Sequence, residues 1–169
     1  MRMMVEKKKS IVLSSIVLGL AVLGLLFWVL PINMGISMIA FMNLFFEMMS
    51  SGAAEAAMFA IPMLLTLIFN LIIIAFGIVT LLKSCGVVKS AKLAKAFRIV
   101  DIVLVSVATA FLLFLNVGFA SQGGLLVGML IVAILYVALI ILTSIDLKVG
   151  NKLAKEQETV VAPEEEKAE

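Results

Sequence analysis

A chain of 169 residues that is 64% apolar and only 14% charged, with a mean hydropathy of +1.26, cannot hide its apolar surface in a water-soluble fold of this size. The formal net charge of +2 is uninformative, because basic residues beside apolar runs nearly cancel an acidic tail. With no His and one Cys, the chain has no histidine base or histidine metal ligand, no Ser-His-Asp arrangement and no internal disulfide.

Four apolar runs organise the sequence: Ile11 to Leu30, Phe59 to Leu82, Ile99 to Val117 and Leu125 to Leu147. Each is about 20 residues, roughly 30 Å as a helix, which matches a hydrocarbon core. The expected fold is an all-α integral membrane protein, a four-helix bundle spanning residues 11–155. A basic N-terminus precedes it at 1–10, and an acidic tail at 156–169 has the composition of disorder. All thirteen Lys and Arg lie outside the runs. They precede the first, separate the second from the third, and follow the fourth, whereas 31–58 and 118–124 carry none. The positive-inside rule therefore puts both termini and the middle loop in the cytoplasm.

The first run follows Lys7, Lys8 and Lys9 but is longer than a signal-peptide core of about 7–15 residues. Trp28, Pro31 and Asn33 stand where a small-x-small cleavage site would be needed. It reads as a retained span, with Ser15 and Gly19 as a small face.

Segment 31–58 is nearly as apolar as the spans, yet a crossing there would put the five-cation loop 83–98 outside. Asn33, Ser37, Asn43, Glu47 and Ser51 recur every three or four residues, with Ala40 completing the stripe, as on one face of a helix. Met34, Met38, Met42, Phe45 and Met49 lie off that stripe and are the candidate partner surface. The segment is expected to lie in the outer interface or over the bundle end, or to extend the first helix past a bend at Pro31, and Gly52 should stop it. Methionines at successive turns can also hold Cu(I). Methionine is more commonly an adaptable apolar filler, and no metal is assigned.

In the second run Thr66, Asn70, Gly77 and Thr80 share a direction and form a polar packing face; Ser106, Thr109 and Asn116 do so in the third. Gly124 and Gly128 give the fourth a small-xxx-small spacing. Between the second and third runs, Lys89, Lys92, Lys95 and Arg98 recur every three residues, the pattern of a short basic helix against anionic headgroups. Without aromatic interleaving these cations point to lipid, not to nucleic acid. Asp101 is expected to benefit from a helix N-terminus after Arg98, while Asp146, at a helix C-terminus, needs a cation such as Lys148 or one from another helix.

No phosphate-binding glycine loop or paired carboxylate site is present, so no catalytic residue and no cofactor are assigned. The first helix lacks the membrane-embedded Glu of small multidrug transporters. The chain also lacks the cysteine pairs of quinone-linked thiol oxidases and claudins. Two functions remain: a non-catalytic accessory or scaffold subunit that binds another membrane protein or itself, and a small oligomeric transporter or channel. The expected location is a prokaryotic cytoplasmic membrane.

Overall fold

The computed structural model describes residues 2–31, 36–88, 90–121 and 127–165, and side chains within 4–31, 36–88, 90, 92–120 and 127–154. The described chain forms α1 (Arg2–Val29), α2 (Met38–Ser50), a 3-10 turn at Ala54–Ala56, α3 (Ala57–Cys85), α4 (Ala91–Ser121) and α5 (Val127–Glu165). Four stretches, Met4–Val29, Ala54–Cys85, Lys92–Ala120 and Val127–Ala154, are long and apolar enough to cross a membrane. This is an all-helical, multi-pass membrane architecture.

Local chemistry sets the helix ends. α1 stops two residues before Pro31, whose ring disfavours helical geometry in the residue ahead of it. At α2 the Ser37 hydroxyl accepts from the Ala40 N–H at 3.1 Å, and Gly52, at φ +99°, turns the chain after Ser51. α2 is thus a separate helix and not an extension of α1. Gly86, at φ +90°, caps α3, with its N–H on the Lys83 carbonyl and that of Val87 on Leu82. Ser90 then caps α4, accepting from Leu93 N–H at 3.3 Å. The basic helix expected as a separate element is therefore the first turns of α4, because nothing between Ala91 and Ser121 breaks the helix. α5 likewise continues to Glu165, into the stretch whose composition points to disorder. Extending an existing helix needs no new nucleus.

The four long helices form a ring in which α1 touches α3, α3 touches α4, α4 touches α5 and α5 touches α1. Neighbours are antiparallel. Ser10 of α1 meets Ser84 of α3 near the termini, whereas Phe59 of α3 lies against Phe119 of α4 at the opposite end. The inward positions step alternately by four and three. In α1 they are Ser10, Ser14, Val17, Ala21, Gly24 and Trp28; in α4 they are Ala94, Arg98, Asp101, Val105, Ala108 and Leu112. A seven-residue seam of this kind packs helices at the shallow angle of a left-handed bundle.

The seam explains what the sequence misplaces. Ser15 and Gly19 are exposed, and Ser14, Ala21 and Gly24 do their packing; Ser106 is exposed too, its hydroxyl donating to the Ile102 carbonyl at 2.7 Å while Val105 faces inward. α3 turns Thr66, Asn70, Gly77 and Thr80 inward, the face expected of it. At Gly77 a Cβ would lie 3.2 Å from Leu18 Cδ1, so the missing side chain is what lets α1 and α3 approach there. Gly128 is buried, and Gly124 lies outside the described residues. Outward positions are apolar, including Val12, Leu71, Val103, Phe114, Ile134 and Ile141. Polar groups inside and apolar groups outside is the arrangement of helices solvated by lipid.

Beyond the ring, α2 packs on α3 and α1. Met38 and Met42 enter the core cluster that also holds Met63, Leu115 and Met129. Phe41, Phe45, Phe59 and Phe119 form an aromatic group with centroids 5.0 to 5.8 Å apart.

Candidate functional site

Polar residues gather at two levels of the seam. Near the termini, Asp146 of α5 accepts from Arg98 Nε of α4 at 2.8 Å and from the Ser14 hydroxyl of α1 at 2.9 Å, with a longer bond from Ser10 at 3.4 Å. Ser84 of α3 lies 3.1 Å from both serine hydroxyls and donates to the Thr80 carbonyl. All four long helices therefore contribute to one polar cluster around this carboxylate, α3 through the two serines. The Arg98 side chain crosses Gly150 of α5, where a Cβ would stand 2.7 Å from Nη1. A side chain there would have to displace the guanidinium.

Asp146 thus takes its cation from another helix, and the cation is Arg98, not Lys148. Because α5 continues to Glu165, Asp146 is not at a helix end, and its position is set by pairing and not by the helix dipole. Arg98, grouped by sequence with the headgroup lysines, is only 5% exposed and points into the bundle. Lys92 and Lys95 are exposed, as a headgroup role requires, and Lys89 lies outside the described residues. Asp101, also buried, sits in the third turn of α4 with Oδ1 unpartnered. Nearby, an exposed ion pair, Lys152 to Glu6 at 2.6 Å, ties α5 to the first turns of α1. Its exposure makes it a minor contribution to stability.

At the middle of the bundle, Asn70 Nδ2 donates to the Tyr136 hydroxyl oxygen at 2.6 Å, linking α3 to α5. Gly24 of α1 makes room, since a Cβ there would lie 3.1 Å from Asn70 Nδ2 and 3.2 Å from Tyr136 Cε1. Trp28 is fully buried as well, and its Nε1–H has no hydrogen-bond partner among the described residues. An interhelical hydrogen bond in lipid contributes about 0.6–2 kcal/mol. Tyr136→Phe is accordingly expected to weaken the bundle by about that amount. Adding Asn70→Leu should then cost less than it does alone, a non-additivity that a double-mutant cycle of unfolding in mixed micelles reads directly.

No family model, curated protein or solved structure matches this chain.

Of the partner candidates, Met38 and Met42 are covered by the chain's own core, Phe45 and Met49 are half-buried, and Met34 lies outside the described residues. On α2 the exposed large apolar residues are Leu44 and Met48, continued by Met58 and Ile61 on α3. Of the intramembrane polar residues, Thr66, Thr109 and Asn116 are buried, and each gives a hydrogen bond to a carbonyl four residues earlier in its own helix. Among the described residues, Asn70 is the one of these four with a hydrogen bond to another helix. Ser10, Ser14, Ser84 and Tyr136 were not singled out from the sequence, although the seven-residue spacing through Ser10, Ser14, Val17 and Ala21 is visible in it.

Among the described residues, no group of three or more His, Cys, Asp or Glu is placed to hold a metal ion. The carboxylate at the centre of the terminal cluster is engaged by a guanidinium and hydroxyls. Chemically this arrangement is suited to joining helices.

Proposed function

We propose that the chain is a non-catalytic four-span scaffold or accessory subunit of a membrane complex. It sits in a prokaryotic cytoplasmic membrane with both termini and the α3–α4 connection in the cytoplasm. The observation that carries this reading is the Asp146 cluster, in which every long helix spends polar side chains on the others. Such a bundle is a fixed platform. Its cations, confined by sequence to the termini and the loop 83–98, favour the cytoplasmic assignment and contact with anionic lipid headgroups through Lys92 and Lys95.

The partner surface we assign is the exposed ridge of Leu44, Met48, Met58 and Ile61, in place of the buried Met38 and Met42. Purification of the tagged chain from native membranes in mild detergent should return a second membrane protein in fixed ratio. Recovery of a lone monomer would defeat the proposal. A second reading, a small oligomeric transporter or channel, is favoured by the buried, unpartnered oxygens of Asp101, Asn70 and Asn116. Recovery of a homo-oligomer alone, with solute flux in liposomes that Asn70→Leu abolishes, would put that reading first.

A further inference from the structure

At the end of the bundle that holds the Asp146 cluster, α1 begins several residues before its apolar run. Met4, Val5, Lys7, Lys8 and Ile11 there line one groove of about 350 Å³. Met4, Lys8 and Ile11 recur at steps of four and three and so share a face of the helix, with Lys7 at its edge. This is not the inward face, which carries Ser10 and Ser14. Lys7 nevertheless reaches the neighbouring helix, since its Nζ lies 3.8 Å from where a Cβ on Gly86, the cap of α3, would stand.

Charge and apolarity in the groove together select the occupant. Met4 is 75% and Val5 60% exposed; Lys7 and Lys8 are exposed too, and neither forms an ion pair among the described residues. Glu6, the acidic residue of this stretch, is turned to Lys152 of α5 and does not neutralise them. Two positive charges therefore stand beside a lining that is otherwise Met4, Val5 and Ile11. An acidic peptide or free phosphate would pair with the lysines and leave the apolar lining uncovered. A neutral lipid would cover the lining and leave the charges. An anionic glycerophospholipid does both, and it lies at this level of a membrane, where lysine stems run along acyl chains and their ammonium groups stay among the phosphates.

We propose that the groove of Met4, Val5 and Ile11, with Lys7 and Lys8 at its rim, is a binding site for one anionic glycerophospholipid, an acyl chain along the apolar side chains and the phosphate on the two ammonium groups. The site rests on the multi-pass membrane architecture alone and holds for a scaffold or a carrier. It is separate from the headgroup contact assigned to Lys92 and Lys95, which line no part of this groove.

The test is native mass spectrometry of the purified full chain in mild detergent, titrated with phosphatidylglycerol or with phosphatidylcholine of the same acyl chains. One phosphatidylglycerol should bind per chain, saturably, and phosphatidylcholine much more weakly. The double variant Lys7→Gln, Lys8→Gln should bind phosphatidylglycerol about 25-fold more weakly, because each lysine at an anionic membrane surface contributes about a factor of five. Met4→Ser, Val5→Ser, which keeps both charges, should weaken binding as well. Lys92→Gln, Lys95→Gln removes the same charge from outside the groove and should bind like the parent. Equal affinity for the two lipids would overturn the site, as would equal losses in the two lysine double variants, since the attraction would then be diffuse. Displacement of the lipid by glycerol 3-phosphate would make this a phosphate site and overturn it too. So would a lipid-free dimer that Lys7→Gln, Lys8→Gln disperses, because the occupant would then be a second copy of the chain.

Discussion

Asp146→Ala is expected to lower the stability of the bundle by about 3–5 kcal/mol, the range for breaking a buried ion pair from one side. The size comes from what is left behind. Arg98 would remain 5% exposed with its hydrogen-bonded anion gone, and Ser14 would lose its carboxylate acceptor. Replacing both charged groups avoids that penalty. The double variant Arg98→Met, Asp146→Leu is expected to recover most of the loss, since a buried pair exchanged for well-packed apolar residues is often neutral. Reversible unfolding in mixed micelles measures all three proteins. A single variant as stable as the parent would mean that the pair does not hold the termini end together.

Trp28→Ala is the other large effect. Trp28 is the largest of the fully buried side chains and fills the seam where α1 ends. Truncating a buried Trp costs about 3–5 kcal/mol in water-soluble cores. Here the lower end of that range is expected, because separated helices would still be solvated by lipid and only the packing part of the cost applies. Trp28→Phe should lose much less. Equal losses in both variants would point to the indole N–H and not to its volume.

Much of the fold is legible in the sequence because lipid imposes a simple rule: runs of sufficient length are spans, and Pro31 and Gly52 punctuate them. The inward face of α3 is legible too, since Thr66, Asn70, Gly77 and Thr80 are its polar residues and recur at helical spacing. α1 is harder. Ser14 and Ser15 are adjacent and equally small, and only the phase running on to Gly24 and Trp28 selects Ser14. The role of Arg98 is hidden for a different reason. Its three-residue spacing from Lys92 and Lys95 resembles a headgroup stripe, while its true partner is 48 positions away and depends on the register between α4 and α5. The methionines of α2 show the same limit, because a helix pattern separates two faces without saying which one another part of the chain will cover.

Which side of the membrane the Asp146 cluster faces is directly measurable, because the chain carries its own probe. Cys85 is its only cysteine, is exposed, and ends α3 beside the cluster. A membrane-impermeant maleimide should leave Cys85 unlabelled in intact cells and label it in inside-out vesicles. Gly52→Cys in a Cys85→Ser background should give the reverse. Labelling of Cys85 in intact cells would contradict the cytoplasmic assignment of the cluster, and labelling of both positions from one side would contradict the crossing between them.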